Sequence, residues 1–418
     1  MSALQAVLEN ARTWCVETAD VLGGLRRLPD GCVQTCVTSP PYWALRDYDV
    51  PPTTWEDGWT GCLGLEPTPQ EYVEHVVEVF REVRRVLRDD GTLWLNLGDS
   101  YCTRPNGSVG NSTLDGSRSN HTEYRRAHAL RKKGATGDLK HKDLVGIPWR
   151  VAFALQADGW WLRMDNVWHK PNVMPEPVTD RPTKAHEYVF LLSKSECYYY
   201  DSEAVKEPVT GNAHPRGTGV HPKSASADSR IKANENYSAA VRGLVGTRNL
   251  RSVWSVATQP VEDAHFATYP PRLVEPCIAA GTSSGGACIE CGSPLERVLS
   301  EPVPADGRPS GNVERKLADG SDSRMNTHIG RDIPWAPTVR ETLGWELACE
   351  HEGDVVPCMV LDPFSGAGTT VMEALRQGRR AIGIEIKQEY VEMARQRIDG
   401  DNPMFNRTGL SVVGEGHV

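Results

Sequence analysis

The sequence predicts an α/β fold in which helices cover both faces of a largely parallel sheet. Two observations carry this prediction. Short β-branched and apolar runs alternate with longer segments whose apolar residues recur at helical spacing. A glycine-rich turn near residue 366 joins a short apolar strand to a helix, as ligand-binding turns do at the carboxyl edge of such sheets.

Local patterns predict the elements in chain order. Apolar and β-branched runs predict strands, apolar residues at helical spacing predict helices, and clusters of Pro, Gly and Asp predict turns. The longest helix carries Val73, Val76, Phe80 and Val83 on one apolar stripe. The elements are strand 14–18, helix 21–28, strand 33–38, helix 70–87, turn 89–91, strand 92–97, helix 147–157, strands within 160–168 and 188–192, strand 359–361, a helix from 369 and strand 380–385.

Composition and charge are those of an ordinary globular protein. A hydrophobic fraction of 39% supports a large core in a chain of 418 residues. No apolar run reaches the roughly 20 residues that cross a membrane, and the first residues lack the basic-then-apolar pattern of a signal peptide. Without such a signal, eleven cysteines argue against a disulfide framework. The sequence therefore predicts a cytoplasmic protein without a membrane segment.

Three polar stretches interrupt the alternation of strands and helices. Residues 104–142 carry nine Lys or Arg against three Asp or Glu, and residues 205–252 carry eight against three, although the net charge of the chain is −9. Residues 302–340 are rich in Pro, Gly, Asp and Arg. Each stretch taken alone has the composition of a solvated loop. The positive charge of the first two also favours contact with a polyanion.

The most specific pattern lies near the end of the chain. Asp362 turns the chain after an apolar strand, and Gly366 and Gly368 let the backbone approach a ligand closely before a helix begins. The next strand ends at Glu385, about 20 residues after the glycines, where a carboxylate can accept hydrogen bonds from ribose hydroxyls. No Gly-Lys-Ser/Thr follows, and the glycines lack the Gly-x-Gly-x-x-Gly spacing of a dinucleotide site. The pattern predicts a cofactor-binding turn of another kind.

A second pattern lies near the start of the chain. The predicted strand over 33–38 runs into Ser-Pro-Pro-Tyr at 39–42, which places Ser39 at the carboxyl end of a buried strand. Ser-Pro-Pro by itself is most often a turn. It gains weight here because a buried strand leads into it and a cofactor turn exists elsewhere in the chain.

Ser-Pro-Pro-Tyr at 39–42 followed by Asp-Pro-Phe-x-Gly-x-Gly-Thr-Thr at 362–370 resembles the motifs of the circularly permuted β group of DNA amino-methyltransferases. These enzymes move a methyl group from S-adenosylmethionine to cytosine N4 or adenine N6. The resemblance implies a Rossmann-like, S-adenosylmethionine-dependent methyltransferase fold that is circularly permuted and carries an inserted DNA-recognition region. In this family Ser in the first position is associated with cytosine N4 and Asp with adenine N6. The resemblance thus implies a site-specific cytosine-N4 DNA methyltransferase, with adenine N6 as the alternative.

The resemblance also assigns roles to single residues. An exocyclic amino group is a poor nucleophile because its lone pair is conjugated with the ring, and the Ser39 hydroxyl and the Pro40 carbonyl can accept hydrogen bonds from its two N–H groups. Pro40 and Pro41 stiffen the loop, and the Tyr42 ring stacks on a base flipped out of the duplex. The cofactor-binding residues that the resemblance implies are Asp20, Phe266, Asp362, Phe364, Gly366, Gly368, Thr369, Thr370 and Glu385.

The resemblance divides the chain into segments with different expected roles. Double-stranded DNA is the expected substrate, and a homodimer and a cognate restriction endonuclease are the expected protein partners. The segments are a catalytic half over 1–171 with a basic, DNA-contacting loop over 104–142, a core strand with the target-recognition region over 172–260, an aromatic motif and helix over 261–287, an insertion over 288–357, the cofactor-binding half over 358–400 and a tail over 401–418.

A cluster of cysteines predicts a zinc knuckle within the insertion. Cys288 and Cys291 form a Cys-x-x-Cys-Gly turn, and Cys349 and His351 follow after 57 further residues. Three thiolates and an imidazole are a ligand set of structural zinc. Cys358 is an alternative fourth ligand, although it lies at the entry to a predicted core strand. The other interpretation is a set of free thiols in a reducing compartment.

Three other functions compete with DNA amino-methylation. A cytosine-C5 enzyme needs a Cys nucleophile after Pro, and the Pro-Cys pairs at 276–277 and 357–358 do not lie on the Ser39 loop. An inactive, zinc-containing DNA-binding protein with the same fold is an alternative that cofactor binding would distinguish. A protein or RNA methyltransferase is the third, although the basic stretches favour a nucleic-acid polymer.

Overall fold

The structure is a computed structural model that describes residues 1–102, 138–208, 247–259, 268–301, 303–304 and 338–401. The chain divides into two compact units. The first comprises Met1–Ala204, Arg251–Glu296 and Leu347–Val418, and the second comprises Val205–Leu250 and Arg297–Glu346.

The helices and strands of the described residues alternate along the chain as the sequence predicts. The helices are α1 (Ala3–Leu8), α2 (Val21–Leu25), α3 (Pro69–Val86), α4 (Ile147–Ala157), α5 (Pro271–Gly281), α6 (Thr369–Arg376) and α7 (Gln388–Asp401). The strands are β1 (Trp14–Thr18), β2 (Val33–Thr38), β3 (Thr53–Thr54), β4 (Thr60–Gly61), β5 (Leu87–Leu97), β6 (Trp161–His169), β7 (His186–Ser193), β8 (Glu207–Pro208), β9 (Thr247–Arg248), β10 (Val253–Ser255), β11 (Ala287–Cys288), β12 (Glu296–Leu299), β13 (Val303–Pro304), β14 (Thr338–Val339), β15 (Thr342–Glu346), β16 (Val355–Val356), β17 (Met359–Asp362) and β18 (Arg380–Glu385).

An eight-stranded sheet forms the centre of the first unit, in the order β1-β18-β17-β2-β5-β7-β6-β10. Neighbouring strands are parallel, except that β7 runs antiparallel to both β5 and β6. The α/β fold with a largely parallel sheet is therefore confirmed. Strands β17 and β18 come from the end of the chain yet lie between β1 and β2, so both ends of the chain build the middle of the sheet.

Helices cover the sheet because each presents an apolar face to it. Helix α3 begins with a capping box, in which Thr68 accepts the backbone N–H of Glu71 and the Glu71 carboxylate accepts that of Thr68. It packs against α2 and α4, while α6 packs against α5 and α7. Strand β2 is buried at every position, as expected of a strand covered on both faces. Helix α5 approaches it so closely that a Cβ on Gly281 would lie 2.6 Å from the Thr35 hydroxyl.

Two predicted boundaries were wrong by a few residues. Helix α2 ends at Leu25 instead of residue 28. Strand β5 begins at Leu87, so the residues expected to form a turn at 89–91 lie inside the strand. The pairing of β2 with β5 shifts register between Val33 and Thr35, and this irregularity accommodates the polar residues without a turn.

The second unit contains short strand pairs in its described part. Strand β8 pairs antiparallel with β9, β12 pairs with β15, and β13 pairs antiparallel with β14. An ion pair between Glu207 and Arg248 (3.0 Å) joins the first pair, and the Arg297 guanidinium lies 4.3 Å from the centre of the Trp345 ring in the second. Across the described residues of both units, no helix combines the length and apolar character needed to cross a bilayer.

Candidate active site

A cavity of about 860 Å³ opens at the edge of the sheet where its parallel strands end. Residues 39–42, which follow β2, line one part of it, and residues 363–367, which follow β17, line another. Its volume lies in the range of small-molecule sites, and its position is where open α/β sheets hold ligands. The two motifs from opposite ends of the sequence thus face the same space.

A chain of hydrogen bonds starts at the Ser39 hydroxyl. Ser39 Oγ donates to the Tyr42 hydroxyl at 3.2 Å. The Tyr42 hydroxyl lies 2.9 Å from Oε2 of Glu187 and 3.0 Å from Oδ1 of Asn96. Burial, reinforced by the charge of Glu187, raises the pKa of Tyr42 well above its usual value, so the phenol keeps its proton and donates it. Because the Ser39 proton points to Tyr42, the Ser39 oxygen can present lone pairs to the cavity.

The Glu187 carboxylate is the negatively charged end of this chain of hydrogen bonds. Its other carboxylate oxygen accepts a charge-assisted hydrogen bond from Lys170. The Lys170 ammonium lies 4.1 Å from the centre of the Trp168 ring. The amide of Asn96 donates to Glu187 Oε2 (3.2 Å) and to the Tyr188 carbonyl (3.0 Å). The carboxylate is therefore held by a cation and an amide as well as by the phenol.

Close packing holds the Ser-Pro-Pro-Tyr loop itself. The Tyr72 hydroxyl of α3 donates to the Pro41 carbonyl at 2.9 Å. A Cβ on Gly98 would lie 2.5 Å from the Tyr42 ring, so this ring is in contact with the backbone of the neighbouring strand's end. Proline at two successive positions limits the remaining backbone freedom. The ring and the hydroxyl of Tyr42 are thus both fixed.

The glycine turn presents backbone and hydroxyl groups to the same cavity. Gly366 has a φ of +50°, a conformation that favours glycine, and its N–H donates to Glu385 Oε2 at 3.0 Å. Burial raises the pKa of Glu385, although the N–H groups of Lys387 and Gly366 oppose the shift. The buried Ser365 hydroxyl has no hydrogen-bond partner among the described residues. The oxygen of this hydroxyl is inaccessible and packs against β18, where a Cβ on Gly383 would lie 2.5 Å from it.

Asp362 holds the turn from behind and does not line the cavity. Its carboxylate accepts hydrogen bonds from the hydroxyls of Thr38 (2.6 Å) and Tyr269 (2.9 Å) and from the backbone N–H of Phe364 (3.1 Å). Thr370 is also buried, and its hydroxyl donates to the backbone carbonyl at the end of β2. These contacts tie β17, β2 and the start of α6 together.

The remaining residues expected to bind cofactor occupy different places. Phe364, Gly366, Thr369 and Glu385 line the cavity, whereas Gly368 is the N-cap residue of α6. The Asp20 carboxylate caps α2 by accepting the Gly23 N–H at 2.8 Å, and it lines a smaller adjoining cavity that shares Ala19, Pro51, Thr53 and Ile386 with the large one. Phe266 lies outside the described residues, as does most of the basic stretch 104–142.

A segment over residues 43–66, here named the wall segment, forms one side of the cavity. It contributes Leu45, Tyr48, Val50, Trp55 and Leu63, among others. The buried imidazole of His75, on α3, fastens it to the core.

The His75 ring stacks with two indoles of the wall segment, with centroids 4.4 Å from Trp55 and 5.2 Å from Trp59. Its Nδ1 lies 3.1 Å from the buried Glu66 carboxylate and its Nε2 lies 3.3 Å from Asp57. Burial lowers the pKa of His75, but the hydrogen bonds and charges of Glu66 and Asp57 outweigh burial and raise it.

The sequence did not single out the partners of Tyr42. Asn96 was expected only as part of the strand over 92–97, and Lys170 and Glu187, just beyond two other predicted strands, were given no role. The cavity contact of Trp168 and Tyr269 was not foreseen either. Polar residues at the ends of apolar runs were the available signal. That signal is weak in a single sequence because most such residues face solvent.

The four predicted metal ligands come together in the first unit. The sulfur atoms of Cys288, Cys291 and Cys349 and a ring nitrogen of His351 all lie within 4.8 Å of one another. The backbone N–H groups of Cys291 and Glu290 point to the Cys288 sulfur, and the first of these is the main reason that the pKa of this thiol falls to about 7. Cys358 is buried apart from them, with its sulfur 3.6 Å from the Ser283 carbonyl.

Comparison with known proteins adds sequence evidence to this geometry. The family described as DNA methylase, of N6/N4 type, matches residues 33–289 and 347–396. The Type II methyltransferase M.XycI of Xanthomonas campestris pv. cyanopsidis is 36% identical over 383 residues, which cover 92% of this chain and 87% of the relative. The Type II methyltransferase M.SfiI of Streptomyces fimbriatus is 44% identical over 412 residues, covering 89% and 88%. The solved structure of the PvuII DNA methyltransferase, named cytosine-N4-specific, aligns over 94% of this chain and 92% of its own, with a TM-score of 0.47 and 15% identity.

Proposed function

Because this chain belongs to the DNA methylase family, whose members methylate exocyclic amino groups of DNA with S-adenosylmethionine, we propose that its target is N4 of cytosine. One observation carries the proposal: a single cavity is lined both by a Ser-first Ser-Pro-Pro-Tyr loop and by the glycine turn. Ser39 offers a neutral acceptor where an Asp-first loop would offer a carboxylate. Adenine N6 is the alternative that the same apparatus would serve.

The residues of the turn fit the proposed methyl donor. Gly366 lines the cavity and has no side chain to limit the approach of a ligand to its backbone. Glu385 already receives one N–H on each carboxylate oxygen, and each oxygen has a further lone pair for a ribose hydroxyl. When bound, S-adenosylmethionine supplies a methyl group on a positively charged sulfur.

The residues of the Ser-Pro-Pro-Tyr loop orient the target amino group. Ser39 and Pro40 line the cavity. The Ser39 oxygen and the Pro40 carbonyl accept the two amino hydrogens, which draws the nitrogen toward tetrahedral geometry. The Tyr42 ring stacks on the base, whose extrusion from the duplex costs a few kcal/mol. The hydrogen-bond chain from Ser39 through Tyr42 to Glu187 stabilises the positive charge that develops on the amino group.

Mass spectrometry of nucleosides tests the proposal. Double-stranded DNA is incubated with the purified protein and S-adenosylmethionine labelled in its methyl group, then digested. We expect labelled N4-methylcytosine. We expect Ser39→Ala to reduce transfer by about 10²–10³-fold and the exposed Ser202→Ala to leave it unchanged.

Other outcomes separate the alternatives. Labelled N6-methyladenine would support methyl transfer to an exocyclic amino group but would contradict cytosine as the target base. Cofactor binding without a labelled base would favour the inactive DNA-binding protein. Full activity of Ser39→Ala would remove Ser39 from the site.

The Type II names of the relatives support a further part of this proposal, a cognate restriction endonuclease that shares the recognition sequence. The test is protection: DNA methylated by this protein is expected to resist the endonuclease, and unmethylated DNA to be cut. Cleavage of methylated and unmethylated DNA at the same rate would contradict a shared recognition sequence of this protein and the endonuclease.

A further inference from the structure

We propose that Cys288, Cys291, Cys349 and His351 bind one structural Zn²⁺ ion, and that this ion fastens the segment that leads into the cofactor strand β17. The inference stands apart from the methylation reaction, because none of the four ligands lines the cavity.

The ligand geometry suits zinc. A zinc–sulfur bond of about 2.3 Å places tetrahedral sulfur ligands about 3.8 Å apart, and the four ligand atoms already lie within 4.8 Å of one another. Three thiolates and one imidazole favour Zn²⁺ over Mg²⁺ or Ca²⁺, which prefer oxygen ligands. Four protein ligands also leave no open position, as in structural and unlike catalytic zinc sites.

The surroundings of the ligands are those of a pre-formed knuckle. The turn after Cys288 closes with a hydrogen bond from the Gly292 N–H to the Cys288 carbonyl (2.8 Å), and Gly292 has a φ of +69° that a side chain would strain. Nε2 of His351 lies 3.8 Å from Oε2 of Glu290. This carboxylate can orient the ring through one nitrogen while the other nitrogen binds metal.

The knuckle is connected directly to the start of β17. The Gln34 side chain, on β2, donates to the Gly292 carbonyl at 2.8 Å and accepts the backbone N–H of Met359, the first residue of β17, at 2.5 Å. Arg88 of β5 donates to the Cys291 carbonyl. Strand β11, which ends at Cys288, pairs with β16 just before β17. An ion at the knuckle therefore holds two sequence-distant segments beside the strand that carries the glycine turn.

Closing a long loop is what makes such an ion valuable to stability. Between Cys291 and Cys349 lie 57 residues, and joining the ends of a loop of this length costs conformational entropy that zinc binding offsets. The β11–β16, β12–β15 and β13–β14 pairs already bring the two segments together, and the ion would add four bonds to protein ligands at the base of the loop. We therefore expect metal removal to affect stability more than the chemical step.

Metal analysis of the full-length protein, purified with reductant and without chelator, tests the proposal. We expect one zinc per chain. Cys291→Ser is expected to lose it, whereas Cys197→Ser, which changes an exposed cysteine elsewhere, is expected to keep it. His351→Cys retains four ligands and is expected to retain zinc. Less than one zinc in ten chains after refilling with ZnCl₂, or full zinc in Cys291→Ser, would overturn the proposal.

A cobalt titration covers the case in which Cys291→Ser does not fold. Co²⁺ added to metal-free wild-type protein is expected to give the absorption bands of tetrahedral thiolate coordination, and one equivalent of Zn²⁺ to abolish them. We expect metal-free protein to melt about 5–10 °C lower than zinc-loaded protein. Octahedral cobalt spectra, or iron–sulfur absorption in the protein as purified, would exclude the proposed site.

Discussion

At the scale of single residues, Tyr42 contributes a ring and a hydroxyl that have separate partners. The ring is packed against Gly98, and the hydroxyl connects Ser39 to Glu187. An aromatic residue without a hydroxyl, such as phenylalanine, could make only the ring contact. The proposed mechanism therefore assigns base stacking to the ring and orientation of Ser39 to the hydroxyl.

Tyr42→Phe separates these two contributions. The ring and its stacking stay, but the Ser39 hydroxyl loses the acceptor of its proton, and the carboxylate of Glu187 loses a donor. We expect the rate of methyl transfer in a single turnover to fall about 10–100-fold, or about 1.4–2.7 kcal/mol, with cofactor affinity within about twofold of wild type. Tyr198→Phe, at a half-buried tyrosine that does not line the cavity and accepts from Arg163, is the control. An unchanged rate in Tyr42→Phe would separate the hydroxyl from catalysis.

At the scale of elements, helix α3 holds the wall segment through His75 and through Glu78, whose carboxylate accepts the backbone N–H of Glu56 at 3.3 Å. His75 is stacked by two indoles and flanked by two carboxylates, while the Glu66 carboxylate also accepts the Gly64 N–H at 2.8 Å. The wall segment is otherwise poor in regular structure, having only the two-residue strands β3 and β4. The position of one cavity wall thus depends on these contacts with α3.

The pKa of His75 gives this contact a pH dependence with a definite sign. The pKa is raised in the folded protein, so the stability from the charged imidazole is present in full below the unfolded value near 6.5 and is lost as pH rises through the folded value. Glu66 and Glu78, whose pKa values are raised by burial, add no opposite trend above neutral pH, and Asp57 titrates far below it.

We expect His75→Gln to lower the thermal midpoint by about 2–5 °C at pH 6 and by less at pH 9, because the contribution of the charged imidazole declines as pH rises. Scanning calorimetry of wild type and variant at both pH values measures the difference. His169→Gln changes an exposed imidazole and serves as the control. A deficit that is equal at both pH values would mean that only the ring stacking stabilises the wall segment.

At the scale of the whole molecule, the cavity joins the two ends of the chain. Thr38 at the end of β2 donates to Asp362 at the end of β17, across 324 positions of sequence. Ligand binding at the turn should therefore stabilise the folded first unit as a whole, since the turn is bonded to its central strands.

We expect S-adenosylmethionine at 100 times its Kd to raise the free energy of unfolding by about 2.7 kcal/mol, measured as an increase in the thermal midpoint. Gly366→Val should abolish this increase, because a β-branched residue is strained at a φ of +50° and would fill the turn. Gly344→Val, where a Cβ meets no atom within 4 Å, is the matched control. A normal shift in Gly366→Val would remove this turn from the cofactor site.

Sequence alone determined the features that depend on residues adjacent along the chain. The strand over 33–38 ending in Ser-Pro-Pro-Tyr, the glycine turn before α6 and the Cys-x-x-Cys knuckle each have a local pattern that limits the backbone to few conformations. The order of the two motifs indicated the permuted sheet, whose fold the structure confirms.

Only the tertiary structure decided which distant side chains meet. Asn96, Lys170 and Glu187 come from three strands, and Glu187 reaches Tyr42 because β7 runs antiparallel and so begins at the edge where the other strands end. The local sequence of β7 contains nothing that specifies its direction. Direction and neighbours are set by how the whole sheet buries its apolar surface, and that is a property of the folded chain rather than of any segment.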